Sequence, residues 1–160
     1  MKGRLLSMLG ALTLTVSGCS LLPIETDVKE GFVRIKSQHD YTPNRGESIF
    51  LFCHKQRVVE HETNREYPAG QHNLWVMVNV SDPVHNSTGR EAVINFNVDL
   101  AAGRKYIFNS EMLEKNAEMA VWIEDFDSAE VVSPIVKTTL SNPNIIPYQL
   151  RKKQCESSSV

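Results

Sequence analysis

The run His72-Asn73-Leu74-Trp75-Val76-Met77-Val78-Asn79-Val80 keeps strict alternation over four pairs. Leu74, Val76, Val78 and Val80 take one side; Asn73, Trp75, Met77 and Asn79 take the other. A period of two places successive side chains on opposite faces of a strand, so this segment predicts a half-buried β-strand. Ala92 to Leu100 repeats the pattern, with Ile94, Phe96, Val98 and Leu100 inward. Ala101-Ala102-Gly103 then predicts a tight turn and a hairpin back through Arg104 to Asn109.

The same reading extends outward in both directions. Ala117–Asp125 predicts a strand, Phe126–Ala129 a turn, and Val131–Val136 an edge strand interrupted by Pro134. Ser110–Asn116 fits one helical turn or a wide loop. Upstream, Phe32, Val33 and Ile35 form a loose strand, and Ser37–Glu47 reads as a polar loop. Ser48–His54 is apolar on both faces at its start, which predicts a central strand covered on both sides. A turn at Lys55-Gln56 and a more polar strand to Glu62 follow. Thr63–Gly70 reads as loop, and Ser81–Arg90 as a mobile loop. After Lys137 the pattern fades, and Ser157–Val160 reads as disordered. Seven to eight short strands without a helix of ten residues predict an all-β fold. Its expected form is an antiparallel β-sandwich, immunoglobulin-like or transthyretin-like.

The amino-terminal end carries a different signal. Lys2 and Arg4 precede Leu5–Val16, an apolar run broken only by Ser7, Thr13 and Thr15, and Val16-Ser17-Gly18 offers small side chains before Cys19. This is too short to span a bilayer as a permanent helix and has the layout of a secretory signal. With cysteine after the small residues it resembles the lipobox of bacterial lipoproteins. That resemblance implies cleavage before Cys19, lipidation at Cys19, and a partner that is the membrane itself. Ser20 stands where an aspartate would resemble an inner-membrane retention signal, which implies the outer membrane. The expected organisation is a signal peptide over 1–18, a lipidated tether over 19–30, a β-sandwich domain over 31–137 and an irregular carboxy-terminal tail over 138–160.

The 160 residues contain 17 Lys+Arg and 19 Asp+Glu. Lys2 and Arg4 leave with the signal, so fifteen cations face nineteen carboxylates, which argues against a nucleic-acid partner. With Cys19 lipidated, Cys53 and Cys155 remain. An oxidising compartment favours a disulfide between them, the alternative being one buried and one exposed thiol.

Candidate chemistry is sparse. His39, His54, His61, His72 and His85 have no metal-ligand spacing. Glu124–Glu130 is acidic but lacks the third acid and the glycine of a calcium loop, and fits a charged turn. No Gly-x-Ser-x-Gly or phosphate-cradling loop occurs. Trp75 and Trp122 fit a second core layer or an aromatic patch, and Arg151-Lys152-Lys153 a solvated end. No cofactor is expected.

The order Pro68-Ala69-Gly70-Gln71-His72, Leu100-Ala101-Ala102-Gly103-Arg104-Lys105-Tyr106 and Val121-Trp122-Ile123-Glu124-Asp125 resembles a group of small bacterial lipoproteins. It is also similar to PEGA-type modules built around a Pro-Gly-x-His turn, though Ala69 splits the Pro-Gly pair. The resemblance spans about residues 48–136 and implies a structural domain with no catalytic residues to carry over. The expectation is a non-enzymatic, lipid-anchored envelope protein that binds an envelope protein or polymer through the loops Thr63–Gln71 and Ser81–Arg90. The alternative is a small hydrolase or metal-dependent enzyme using His54 or His61 with an acid.

Overall fold

The computed structural model describes residues 27–43, 45–59, 64–82, 87–113, 117–143 and 148–160. The expected signal peptide, Cys19, His61, His85 and most of the tether lie outside the described residues. Eleven strands occur among those described: β1 (Phe32–Lys36), β2 (Gln38–Thr42), β3 (Arg45–Leu51), β4 (Cys53–His54), β5 (Arg57–Val58), β6 (Arg65–Pro68), β7 (Gly70–Asp82), β8 (Ser87–Leu100), β9 (Lys105–Met112), β10 (Glu118–Asp125) and β11 (Val136–Thr139). One helix, α1 (Tyr148–Glu156), follows. The excess over seven or eight comes from β2 and β6, whose residues read as loop, and from β4, which is split off the stretch read as one strand over Ser48–His54.

Two sheets form the sandwich, in the orders β2-β3-β7-β8 and β11-β10-β9-β1-β6, with β4-β5 as a small separate ribbon. The alternating rows of β7 and β8 face inward as expected. Leu74, Val76 and Val78 are wholly buried, opposite Ile94, Phe96, Val98 and Leu100 in the same layer. The second sheet closes the interior with Val33, Ile35, Phe108, Met119, Val121 and Ile123. Each such side chain contributes about 1.5–3 kcal/mol by leaving water, which is what holds the sheets face to face.

The expected hairpin across residues 92–109 does not form. β8 pairs with β7, whereas β9 pairs with β10 and, in parallel, with β1, the one parallel pair in the molecule's described sheets. Ala101–Arg104 is an arch between sheets. Gly103 takes φ 77° there, its N–H donates to the Phe32 carbonyl at 2.8 Å, and the Ala101 N–H donates to the Tyr106 hydroxyl at 3.0 Å. Alternation specifies which face is buried but not which strand lies alongside, so the pattern is the same for an arch as for a hairpin.

Other boundaries move for the same reason. Ser37–Glu47 is the β2-β3 hairpin, and part of Thr63–Gly70 is β6, paired with β1. β7 and β8 extend into Ser81–Arg90, β9 runs through Met112, and the edge strand is β11, beyond Pro134. The more polar strand expected up to Glu62 is reduced to β5 among the described residues.

The largest correction concerns residues 138–160, which are not an irregular tail. They contain the end of β11 and all of α1, and Ser158 and Val160 are buried. Cys155 is joined to Cys53 with 5.2 Å between Cα atoms. The helix lies over the outer face of the β2-β3-β7-β8 sheet, where Phe50, Phe52, Met77 and the two cysteines form a second apolar cluster with Trp75 and Val93 at its margin. Ile49–Phe52, the start of the stretch read as a central strand, is thus covered on both sides as expected, but the strand ends at Leu51 and Cys53–His54 pairs with β5 instead.

Candidate functional site

Past α1 the chain folds back onto the start of β7. The Ser159 N–H donates to the Asn73 carbonyl at 3.0 Å, and the Asn73 side-chain amide donates to the Ser157 carbonyl at 2.7 Å. The Trp75 indole N–H donates to Ser157 Oγ at 3.0 Å. Gln56 N–H donates to the Val160 carbonyl at 3.3 Å, which brings the β4-β5 turn against the same segment. Between this strap, the turn and β6 lies a cleft of about 490 Å³.

His54, Lys55, Glu66, Tyr67 and Ser158 are among its walls. Lys55 and Gln56 both adopt left-handed backbone, φ 51° and 59°. That is the turn a two-residue hairpin wants, but it costs about 1–2 kcal/mol per residue for side chains other than Gly, Asn or Asp. Two attachments hold the turn: the Cys53–Cys155 bond before it and the Gln56–Val160 hydrogen bond within it.

Three rings line up behind the cleft. His54 meets Tyr67 edge-on at 6.1 Å between centroids, and Tyr67 meets His72 at 6.5 Å. Burial, with Arg65 and Lys55 nearby, lowers the His54 pKa below its ordinary 6.5, so the imidazole is neutral at neutral pH. Its Nδ1 is out of solvent and has no hydrogen-bond partner among the described residues. Burial raises the Tyr67 phenol above 10, against a partial offset from Arg65. His72 is structural: Nε2 donates to the Pro68 carbonyl at 2.7 Å, and Nδ1 lies 3.0 Å from Ser159 Oγ. A carbonyl can only accept, which fixes the ring proton on Nε2.

A catalytic relay needs a base hydrogen-bonded to a nucleophile and oriented by a third group. Here the Glu66 carboxylate is committed to Arg34 at 2.6 Å, and the Ser159 hydroxyl donates to His72 Nδ1 while accepting from the Asn73 N–H. Among the described residues no hydrogen-bonded chain of nucleophile, base and orienting acid passes through His54.

The remaining expected residues are dispersed. Cys53 and Cys155 are bridged. His39 stacks on Tyr41 along β2, with centroids 6.2 Å apart. Among the described residues no three His, Cys, Asp or Glu side chains converge as metal ligands would. In the acidic run, Asp125 Oδ1 accepts from the Asp127 and Ser128 N–H groups and the Ser128 hydroxyl, so it caps the turn. Trp75 and Trp122 are half-buried, between the two expectations. Arg151 is no solvated end: it pairs with the buried Glu91, while Lys152 and Lys153 are exposed.

The described residues of the two expected binding loops do not share a surface. Glu66, Tyr67 and Pro68 line the cleft beside His54, whereas Ser81, Gly89 and Arg90 line a different hollow with Tyr41 and Glu47. Thirteen-residue β7 separates them, roughly 40 Å at ~3.3 Å per residue. The strap residues were not foreseen, whereas Glu66, Tyr67 and Pro68 fall within the expected binding loop Thr63–Gln71. Comparison of the chain with protein-family models, with curated proteins and with solved structures finds no match.

Proposed function

We propose that this chain is a non-enzymatic lipoprotein of a bacterial envelope, held in the outer membrane by acyl chains on Cys19, with a β-sandwich that binds an envelope protein or polymer. One observation carries the reading: the Leu5–Val16 run closing on Val16-Ser17-Gly18-Cys19. The Cys53–Cys155 bond supports export, because such bonds persist in oxidising compartments. An anionic balance speaks against nucleic acid. Binding rather than catalysis is supported by the commitments of the buried polar side chains: His72, Asp125, Glu47 and Glu91 each serve the fold.

A second reading, a small hydrolase or metal-dependent enzyme, draws on one observation: His54 stands in the wall of an open cleft, its buried Nδ1 without a hydrogen-bond partner among the described residues. Mass spectrometry of the mature amino terminus tests the first. An acylated Cys19 and release of the Cys19→Ser variant from membranes are expected; a mature chain beginning elsewhere would overturn it. Hydrolysis of envelope peptides that is lost in His54→Ala would favour the second reading.

A further inference from the structure

The two outward faces of the sandwich are unlike. α1 and the strap cover that of the β2-β3-β7-β8 sheet, whereas among the described residues no helix or strand lies over that of the five-stranded sheet. Ile35, Phe108, Val121 and Ile123 point into the core, so Lys36, Ile107, Trp122 and Glu124 beside them point out. Past β10, Val132 and Val136 pack inward, which leaves Val131 and Ile135 45% and 58% exposed. Phe126, whose ring lies under the outward Lys36, is 42% exposed. Three of the six exposed large apolar side chains among the described residues thus fall within residues 126–135, so the exposure is concentrated on this side.

The chain enters the fold on the same face. The guanidinium of Arg34, an outward side chain of β1, donates to the Asp27 carbonyl at 3.5 Å, and Lys29 stands 4.5 Å over the Phe32 ring. Lys36 stands 3.8 Å over Phe126. Such pairs lay the aliphatic stem of lysine along apolar surface and lift its ammonium off it, as side chains do at a lipid headgroup boundary. Two carboxylates on this face are engaged within the fold, Glu66 by Arg34 and Glu124 by Asn109 and the Trp122 indole, which tempers repulsion of lipid phosphates. Cys19 stands eight residues before Asp27, a reach of at most about 28 Å, shorter than the roughly 35 Å breadth of a domain this size. An acylated Cys19 therefore keeps this face, and not the α1 face, nearest the lipid.

We propose that the outer face of the five-stranded sheet lies on the surface of the lipid bilayer, with Phe126, Val131 and Ile135 in the headgroup boundary and α1 turned away. This rests on the Cys19 anchor of the proposed function and adds the orientation of the domain upon it. Full-length acylated protein would be reconstituted in phosphatidylcholine vesicles brominated on the acyl chains next to the headgroups. Trp75→Phe leaves Trp122 as the one indole, and Trp122→Phe leaves Trp75 on the other sheet. Trp122 emission should fall about twofold relative to unbrominated vesicles, because an interfacial apolar face lies ~5–10 Å into that boundary, while Trp75 emission should not change. Val131→Gln combined with Ile135→Gln should restore most of the Trp122 emission at unchanged melting temperature, since both side chains are exposed. Flotation with the vesicles but equal Trp122 emission with and without bromine would sink this inference alone. Equal quenching of both indoles would do the same. A Trp122 shielded from acrylamide yet untouched by bromine would mean that protein, such as a second copy, covers the face, and would also overturn it. Loss of flotation would remove the anchor itself and this inference with it.

Discussion

Replacing both Cys53 and Cys155 with alanine should destabilise the domain by about 4–5 kcal/mol. The bond joins residues 102 apart, and releasing a loop of about that length gives the unfolded chain entropy worth about 4.7 kcal/mol on the chain-entropy treatment. At roughly 3 °C per kcal/mol for a domain of this size, the melting temperature should fall by about 15 °C. The folded side of the equilibrium matters too. α1 has nine residues, too few to persist alone in water, and Cys155 is its one buried side chain. Without the bond, Arg151–Glu91 and the strap hydrogen bonds are what hold it. Circular dichroism of oxidised wild type, thiol-reduced wild type and the double variant would measure the shift. Hydrogen exchange over residues 148–156 and at Phe50 and Met77 would show whether the helix leaves before the sheets open. A fall of less than about 3 °C, with exchange over α1 unchanged, would refute the argument that the bond secures this layer.

Three further outcomes are expected. Burial alone would raise the Asp125 carboxyl, but the Ser128 and Asp127 donors and Arg104 outweigh it and hold the pKa below 3.8; its stabilisation is therefore complete above about pH 4 and lost as pH falls through the lower folded value. Denaturant titrations should show a wild-type advantage over Asp125→Asn at pH 7 that closes in acid, and a constant gap would contradict it. Gly103→Ala, at φ 77° with open space around the added methyl, should cost about 1 kcal/mol through backbone strain alone, read from the denaturation midpoint at unchanged slope. His72→Ala leaves the Pro68 carbonyl without its donor and should cost about 1–3 kcal/mol, with faster exchange in residues 157–160; protection there equal to wild type would show that the strap does not depend on the ring.

The inward rows of β7 and β8 were legible because alternation is a local consequence of the pleat. Sheet membership was not: β1 into β2 and β8 into β9 change sheets, and the pairing that decides this, such as Val33 with Tyr67, links residues far apart in the chain. Tyr148–Glu156 concealed itself because polar and basic residues dominate it and its attachment is a covalent bond rather than an apolar stripe. The double-sided apolar reading of Ile49–Phe52 implied that something covers the outer face, and α1 is that cover. Of the His54 cleft, the histidine, the turn beside it and the wall supplied by the expected loop Thr63–Gln71 were visible in the sequence. The wall of Ser158, Ser159 and Val160 was not, because Ser157–Val160 read as disordered.

The two indole rings occupy inequivalent stations. Trp75 donates to Ser157 in the strap, and Trp122 donates to Glu124 within its own strand. Emission from Trp75 therefore reports whether the carboxy-terminal layer is seated, while Trp122 serves as an internal reference on the opposite sheet. The protein carries its own two-site optical gauge, and a Trp122→Phe chain would read seating alone, without any attached dye.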